Sequence, residues 1–338
     1  MIEPDTSSQN RRSGNIVINN MPAHKIGLWT FRAAVLVFRY LPYRLLYTKA
    51  RVWAWLLRSV IRYRRKVVDK NLAIAFPGQS AHGRAQIGRA FYDNLADNIV
   101  ETLKSYSATA TQIREQMVFT NPHFLTQYIE KGQSVLVVGG HFYTWELGVQ
   151  AIGLYVSHPV TGIYKPLSNP LVEKELCTLR ARFGISLVSM RQALRTIIRH
   201  RDRPAVYVLI SDQSPPLVHK AHWVPFFGRF TGFLPGTDEI ARRFGYPVVY
   251  YSIRKTKRGS YELTFSELCA QPESQPPGAI TARFAKRLQR DIEAHPDGWL
   301  WSHDRWKRRM PKNAWIWQDG ALVRQNDNSQ SRNQTGSA

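Results

Sequence analysis

Cysteine is almost missing from this chain: Cys177 and Cys269 are the only two in 338 residues. Two thiols so far apart exclude a disulfide scaffold, and no Cys-x-x-Cys spacing is present to hold a metal. Both are expected as core or half-buried residues of a chain folded in a reducing space. No Gly-x-Gly-x-x-Gly follows the first predicted strand, and neither Gly-x-x-x-x-Gly-Lys-Ser/Thr nor His-Glu-x-x-His occurs. Nucleotide binding of those two kinds and zinc-protease chemistry are therefore unsupported, and neither metal nor cofactor is expected. The first twenty residues, MIEPDTSSQNRRSGNIVINN, lack the apolar core of a secretory signal and read as a disordered polar leader. Residues 324–338 are equally poor in apolar side chains and read as a disordered tail. Acid is scarce as well. The 24 Asp and Glu stand against 47 Lys and Arg, a net charge of +23. Such a surface draws polyanions: nucleic acid, anionic membrane or an anionic substrate.

What is present is apolar substance, 43% of the residues, enough for a large core. Much of it at the amino end is interleaved with arginine. Residues 26–47 read IGLWTFRAAVLVFRYLPYRLLY, too often interrupted by charge for a clean span. Lys25, Arg32 and Arg39 recur every seven residues, one stripe along a helix. That pattern predicts a helix lying in a membrane interface with its cations reaching for headgroups. Pro42 should end or bend it. The next segment, RVWAWLLRSVIRYRRKVVDK, mixes tryptophan with arginine as a headgroup layer demands. Residues 21–70 are thus expected to be membrane-associating helices, and the bulk of exposed-looking apolar side chain argues against a nucleic-acid surface.

Residues 71–323 read as one α/β domain. Strands are predicted at Ser134–Gly140, Val160–Tyr164, Ser186–Ser189, Ala205–Ile210 and Val248–Ile253, with Tyr261–Phe265 alternating toward an edge. Helical patterns at Leu171–Phe183, Gln192–His200, Thr237–Phe244 and Ile280–Ala294 separate many of them. The alternation predicts a mixed, largely parallel central sheet flanked by helices. Such sheets carry their chemistry beyond the carboxyl ends of strands.

The first strand, SVLVVGG, runs directly into His141, with Glu146 five residues on in the first turn of a following helix. A histidine in the turn before the helix lets the Glu146 carboxylate fold back onto the ring. A carboxylate on one ring nitrogen fixes the tautomer and leaves the other nitrogen as a base. With no Ser or Cys nucleophile in the pair, the arrangement suits direct attack by a substrate hydroxyl, with His141 taking the proton.

The run GGHFYTWELG resembles the His-x4-Asp/Glu motif of the lipid A biosynthesis acyltransferases, the late lauroyl/myristoyl transferases of the wider lysophospholipid acyltransferase group. Further blocks agree in order: Asn71–Pro77, Tyr164–Pro170 (YKPLSNP), Arg180 to Gly184, Ile210–Gln213 (ISDQ), Val224–Gly228 (VPFFG) and Trp301 to Lys307 (WSHDRWK). Together they cover about residues 24–310. The resemblance implies a fatty acyl donor on acyl carrier protein, a lipid A precursor or similar anionic glycolipid as acceptor, and work at the cytoplasmic face of the bacterial inner membrane. It implies His141 as general base with Glu146, and substrate contacts from Lys165, Arg180, Arg182 and Asp212. Tyr164, Asn169, Gln213, Phe226, Phe227, His303, Arg305 and Lys307 are then expected at the site or its rim. Three positions depart from the pattern: Tyr143-Thr144 where Gly-Asn is common, Ser214 where a second Asp is common, and Lys165 for Arg. They leave the acceptor open, with a lysophospholipid or glycosylated phosphatidylinositol as the alternatives. A non-catalytic membrane scaffold is the reading of a different class.

Overall fold

The computed structural model describes residues 21–325. The expected leader, residues 1–20, and the expected tail beyond residue 325 lie outside them. Eleven strands follow in chain order: β1 (Met117–Phe119), β2 (Val135–Gly139), β3 (Val160–Tyr164), β4 (Ile185–Ser189), β5 (Val206–Ile210), β6 (His222–Phe226), β7 (Arg229–Phe233), β8 (Val248–Lys257), β9 (Ser260–Cys269), β10 (Trp315–Gln318) and β11 (Ala321–Arg324).

Seven of them form the central sheet, in the order β1-β9-β8-β2-β5-β3-β4. From β8 to β4 every neighbouring pair is parallel. The β8–β9 pair is antiparallel, and β1 runs parallel to β9. This is the mixed, largely parallel sheet that the alternation of patterns predicts. All five residues of β2 are buried, as expected of a central strand covered on both faces. Tyr261–Phe265 does alternate, but it is not the edge: the short β1 covers it. Helices Trp145–Tyr155, Pro170–Ala181, Ala193–Arg199, Gly236–Phe244 and Ala279–Ala294 occupy the connections. Asn169, expected at the site, starts one of them. Its side chain accepts from the backbone N–H groups of Leu171 and Val172 at 3.0 and 3.3 Å, and Pro170 fills the first turn. A second sheet, β11-β10-β6-β7, was not foreseen as a separate layer. Its β6–β7 hairpin turns at Phe227-Gly228, both at positive φ (51° and 68°), the backbone a two-residue hairpin loop requires.

The amino-terminal segment folds as two helices, Met21–Tyr40 and Tyr43–Trp55, broken at Pro42 as expected. The second packs Leu46, Ala50 and Ala54 against Ala96 and Val100 of the long helix Ala81–Ser105. Ile26, Trp29, Leu36, Val37 and Tyr40 of the first are exposed, Trp29 by 66%. At 3.6 residues per turn they fall within an arc of about 100°. Lys25, Arg32 and Arg39 flank that arc, and Arg32 is tied to Glu175 at 2.8 Å. Trp53, Trp55, Val60 and Ile61, farther along the chain, are exposed as well. Among the described residues no helix is long and apolar enough to cross a membrane.

Candidate active site

Neighbouring parallel strands set the site. β2 and β5 are paired in register so that Gly139 lies opposite Ile210 at their carboxyl ends. His141 and Asp212 each follow two residues later, so they emerge side by side. The two glycines before His141 are required by space. A Cβ at Gly139 would run into the Tyr251 ring, and one at Gly140 would lie 2.7 Å from Leu288 Cδ1 and 3.2 Å from Asp212 Oδ2.

Asp212 is fully engaged. Its Oδ1 lies 2.5 Å from His141 Nδ1, while Oδ2 accepts from the His141 backbone N–H at 2.9 Å and from the Trp299 indole N–H at 2.8 Å. Burial opposes ionisation of this carboxyl. The neighbouring His141, its two N–H groups and the indole outweigh burial and hold the Asp212 pKa down at about 2. An ionised carboxylate on Nδ1 makes that nitrogen the donor and leaves Nε2 with the lone pair. Gln213 Nε2 stands 3.3 Å from His141 Nε2, placed to donate to it. The His141 side chain is 13% exposed and meets the Trp145 ring edge-on at 5.0 Å between centroids. It is a half-buried imidazole, oriented through Nδ1, whose Nε2 faces the Gln213 amide.

The expected pairing of Glu146 with His141 is corrected by this geometry. Glu146 opens the helix Trp145–Tyr155 and turns to Arg180, near the end of Pro170–Ala181. Arg180 donates through Nε to Oε2 at 2.9 Å and through a second nitrogen to Oε1. Burial works against the Arg180 charge, but Glu146 overcomes it and raises the pKa. The forked pair clamps two helices beside the site. Arg182 is also occupied, donating to the carbonyls of Tyr106 and Ala108. Of the three cations expected to meet an anion, Arg180 is half-buried and Arg182, though exposed, is committed to those carbonyls, while Lys165, just past β3, is exposed. Tyr164 before it sets its hydroxyl 3.2 Å from Cys177 Sγ.

The basic rim expected from His303, Arg305 and Lys307 is corrected too: only Lys307 is exposed. His303 Nε2 accepts from the Ser214 backbone N–H at 3.0 Å, and burial pushes its pKa down to about 4. The Ser214 hydroxyl donates to the Asp304 and Arg305 carbonyls at 3.1 and 2.8 Å, so it pins the loop that follows Asp212. Arg305 is 1% exposed, with its guanidinium 4.1 Å from the Phe233 ring centroid and 5.7 Å from that of Phe226. Burial lowers its pKa to about 9, with Asp212 acting in the opposite direction. Phe226 and Phe227 pack with Trp306 as a wall. Tyr143 is buried. It sits at φ 44°, a strained value for any residue but glycine, and turns inward to reach Asp297 Oδ1 at 3.3 Å. Trp299 is the residue that sequence reasoning missed. It lies in a tryptophan-rich stretch whose spacing does not say which indole reaches a carboxylate.

The chain matches the family described as bacterial lipid A biosynthesis acyltransferase over residues 20–308. It is similar to the lipid A biosynthesis lauroyltransferase of Escherichia coli (strain K12), at 25% identity over 277 residues that cover 80% of this chain and 87% of the relative. A lipid A biosynthesis acyltransferase of Haemophilus influenzae is 26% identical over 296 residues, covering 83% of this chain and 91% of its own length. The Escherichia coli lipid A biosynthesis palmitoleoyltransferase is 26% identical over 273 residues, 80% and 87% of the two chains.

Proposed function

This chain belongs to the bacterial lipid A biosynthesis acyltransferase family and is an O-acyltransferase, and from that premise we propose a mechanism in which His141 is the general base and Asp212 its orienting carboxylate. The donor is a fatty acyl thioester on acyl carrier protein, and the acceptor is a hydroxyl of a lipid A precursor. The acceptor oxygen attacks the thioester carbonyl carbon while its proton passes to His141 Nε2. The tetrahedral intermediate collapses with cleavage of the C–S bond. The leaving sulfur takes the proton from His141, so an ester and a free thiol result and the base is restored. The observation that carries this reading is the 2.5 Å contact between Asp212 and Nδ1, which leaves Nε2 as the basic nitrogen. Because Asp212 stays ionised far below neutral pH, the imidazolium formed in the step is stabilised where it arises. Glu146 and Arg180 serve as a positioning pair that fixes the helix behind Trp145. Lys165, exposed beyond β3, is a cation available to an acceptor phosphate. The test is mass spectrometry of the lipid product formed from a defined acyl thioester and a defined lipid A precursor. A thiol and a singly acylated product in equal amounts are expected.

The exposed apolar arc and its flanking cations support seating at the cytoplasmic face of the inner membrane, with the helices in the interface plane. Serine at Trp29, Leu36 and Trp53 together is expected to weaken binding to vesicles of anionic phospholipid by at least about tenfold, since each buried apolar side chain is worth roughly 1.5–3 kcal/mol. These side chains face outward, so the melting temperature should hold. Undiminished vesicle binding would place the membrane contact elsewhere.

A further inference from the structure

A groove that does not include His141 lies on another part of the surface. It has a volume of about 750 Å³ and runs between the helix Ala279–Ala294 and the smaller sheet. Its floor is apolar, with Pro225, Phe226 and Trp317, and its rim carries Arg283, Lys286 and Arg290 against the single acid Glu293. The three cations recur at i, i+3 and i+7, one face of the helix. Glu293 is engaged by Gln289, which donates to it at 2.7 Å. The opposite face of the same helix buries Phe284, Ala285 and Leu288, the last beside Gly140 at the base of the site.

We infer that this groove is the docking surface for the acidic carrier protein that presents the acyl thioester, an inference that rests on the donor assigned above. An apolar floor under a cationic rim complements an acidic amphipathic helix. The residues of this chain beyond 325 do not share that complementarity: among residues 326–338, Asp327 and Arg332 cancel. The membrane helices pack elsewhere, on Ala81–Ser105 and Pro170–Ala181, whereas the groove's helix packs on β6, β9 and Gly236–Phe244. Groove and site share one aromatic layer. Phe226 lines the groove and meets the Trp299 ring at 6.1 Å, and Trp299 donates to the carboxylate that holds His141.

The test compares two charge reversals of equal size in the full-length enzyme, K286E/R290E in the groove and R195E/R199E on the exposed side of the Ala193–Arg199 helix. With acyl carrier protein thioester as donor at low salt, the groove variant is expected to raise donor KM about tenfold at unchanged kcat. With acyl-pantetheine, which lacks the protein, it should behave as wild type, and the control variant should match wild type with both donors. An unchanged carrier KM in the groove variant overturns the inference. So does an equal rise in the control, or a loss confined to vesicle binding. A wild-type enzyme inactive with the carrier thioester but active with another donor would instead overturn the donor reading.

Discussion

Replacing His141 with alanine is expected to lower acyl transfer by about 10²–10⁴-fold, the usual cost of removing a positioned general base. The fold should survive. The imidazole hydrogen-bonds Asp212 and Gln213 and meets the Trp145 ring, and its side chain is 13% exposed rather than sealed in the apolar core. Asp212 keeps the backbone N–H of residue 141 and the Trp299 indole, so a stability loss of about 1–3 kcal/mol is the most that one lost partner explains. Turnover numbers in detergent, read beside circular dichroism and a melting curve, check this. Near-normal turnover in a folded His141→Ala protein removes the base from the mechanism.

Asp212→Asn should have an effect of similar size, about 10²–10⁴-fold on kcat, with a smaller change in acceptor KM. The reason is geometric. A carboxylate accepts three N–H groups here, through both oxygens. An amide has one oxygen, and its nitrogen can only donate. If the amide oxygen serves Trp299 and the backbone, the amide N–H faces Nδ1 and selects the wrong tautomer, placing the proton on Nε2. If it serves Nδ1, a buried indole N–H is left without a partner. Either way the imidazolium loses its counter-charge. Steady-state kinetics of the purified variant, normalised to its folded fraction, measure the loss. Wild-type kcat in Asp212→Asn would leave orientation of the ring to some other group.

Both residues were legible in the sequence as strand-end polar groups, and their partnership was not. His141 and Asp212 are 71 positions apart, and they meet only because β5 inserts between β2 and β3 in the sheet. Alternating strand and helix patterns predict a largely parallel sheet but not the order of strands within it. Local spacing favoured Glu146, five residues away, because nothing local reveals Arg180 waiting across the helix pair. Arg180 lies in the last turn of its helix and Arg182 just past its end, two residues apart and so pointing different ways, and they have different partners: one a carboxylate, the other backbone carbonyls. Arg305 read as rim because charge usually lies outside. Here the aromatic rings of Phe226 and Phe233 receive it instead. The amino-terminal helices were the easiest to read, since a seven-residue recurrence of cations and a breaking proline are purely local signals.

The central claim is that Asp212, not Glu146, fixes the proton of His141 on Nδ1. Nitrogen NMR of protein labelled with 15N-histidine reads that proton directly, with the His141 signals identified by their absence in His141→Ala. The account predicts Nδ1–H with a bare Nε2 in the neutral ring of the wild type and of Glu146→Gln, and loss of that preference in Asp212→Asn. An Nε2–H ring in the wild type, or a tautomer disturbed by Glu146→Gln and untouched by Asp212→Asn, would contradict it.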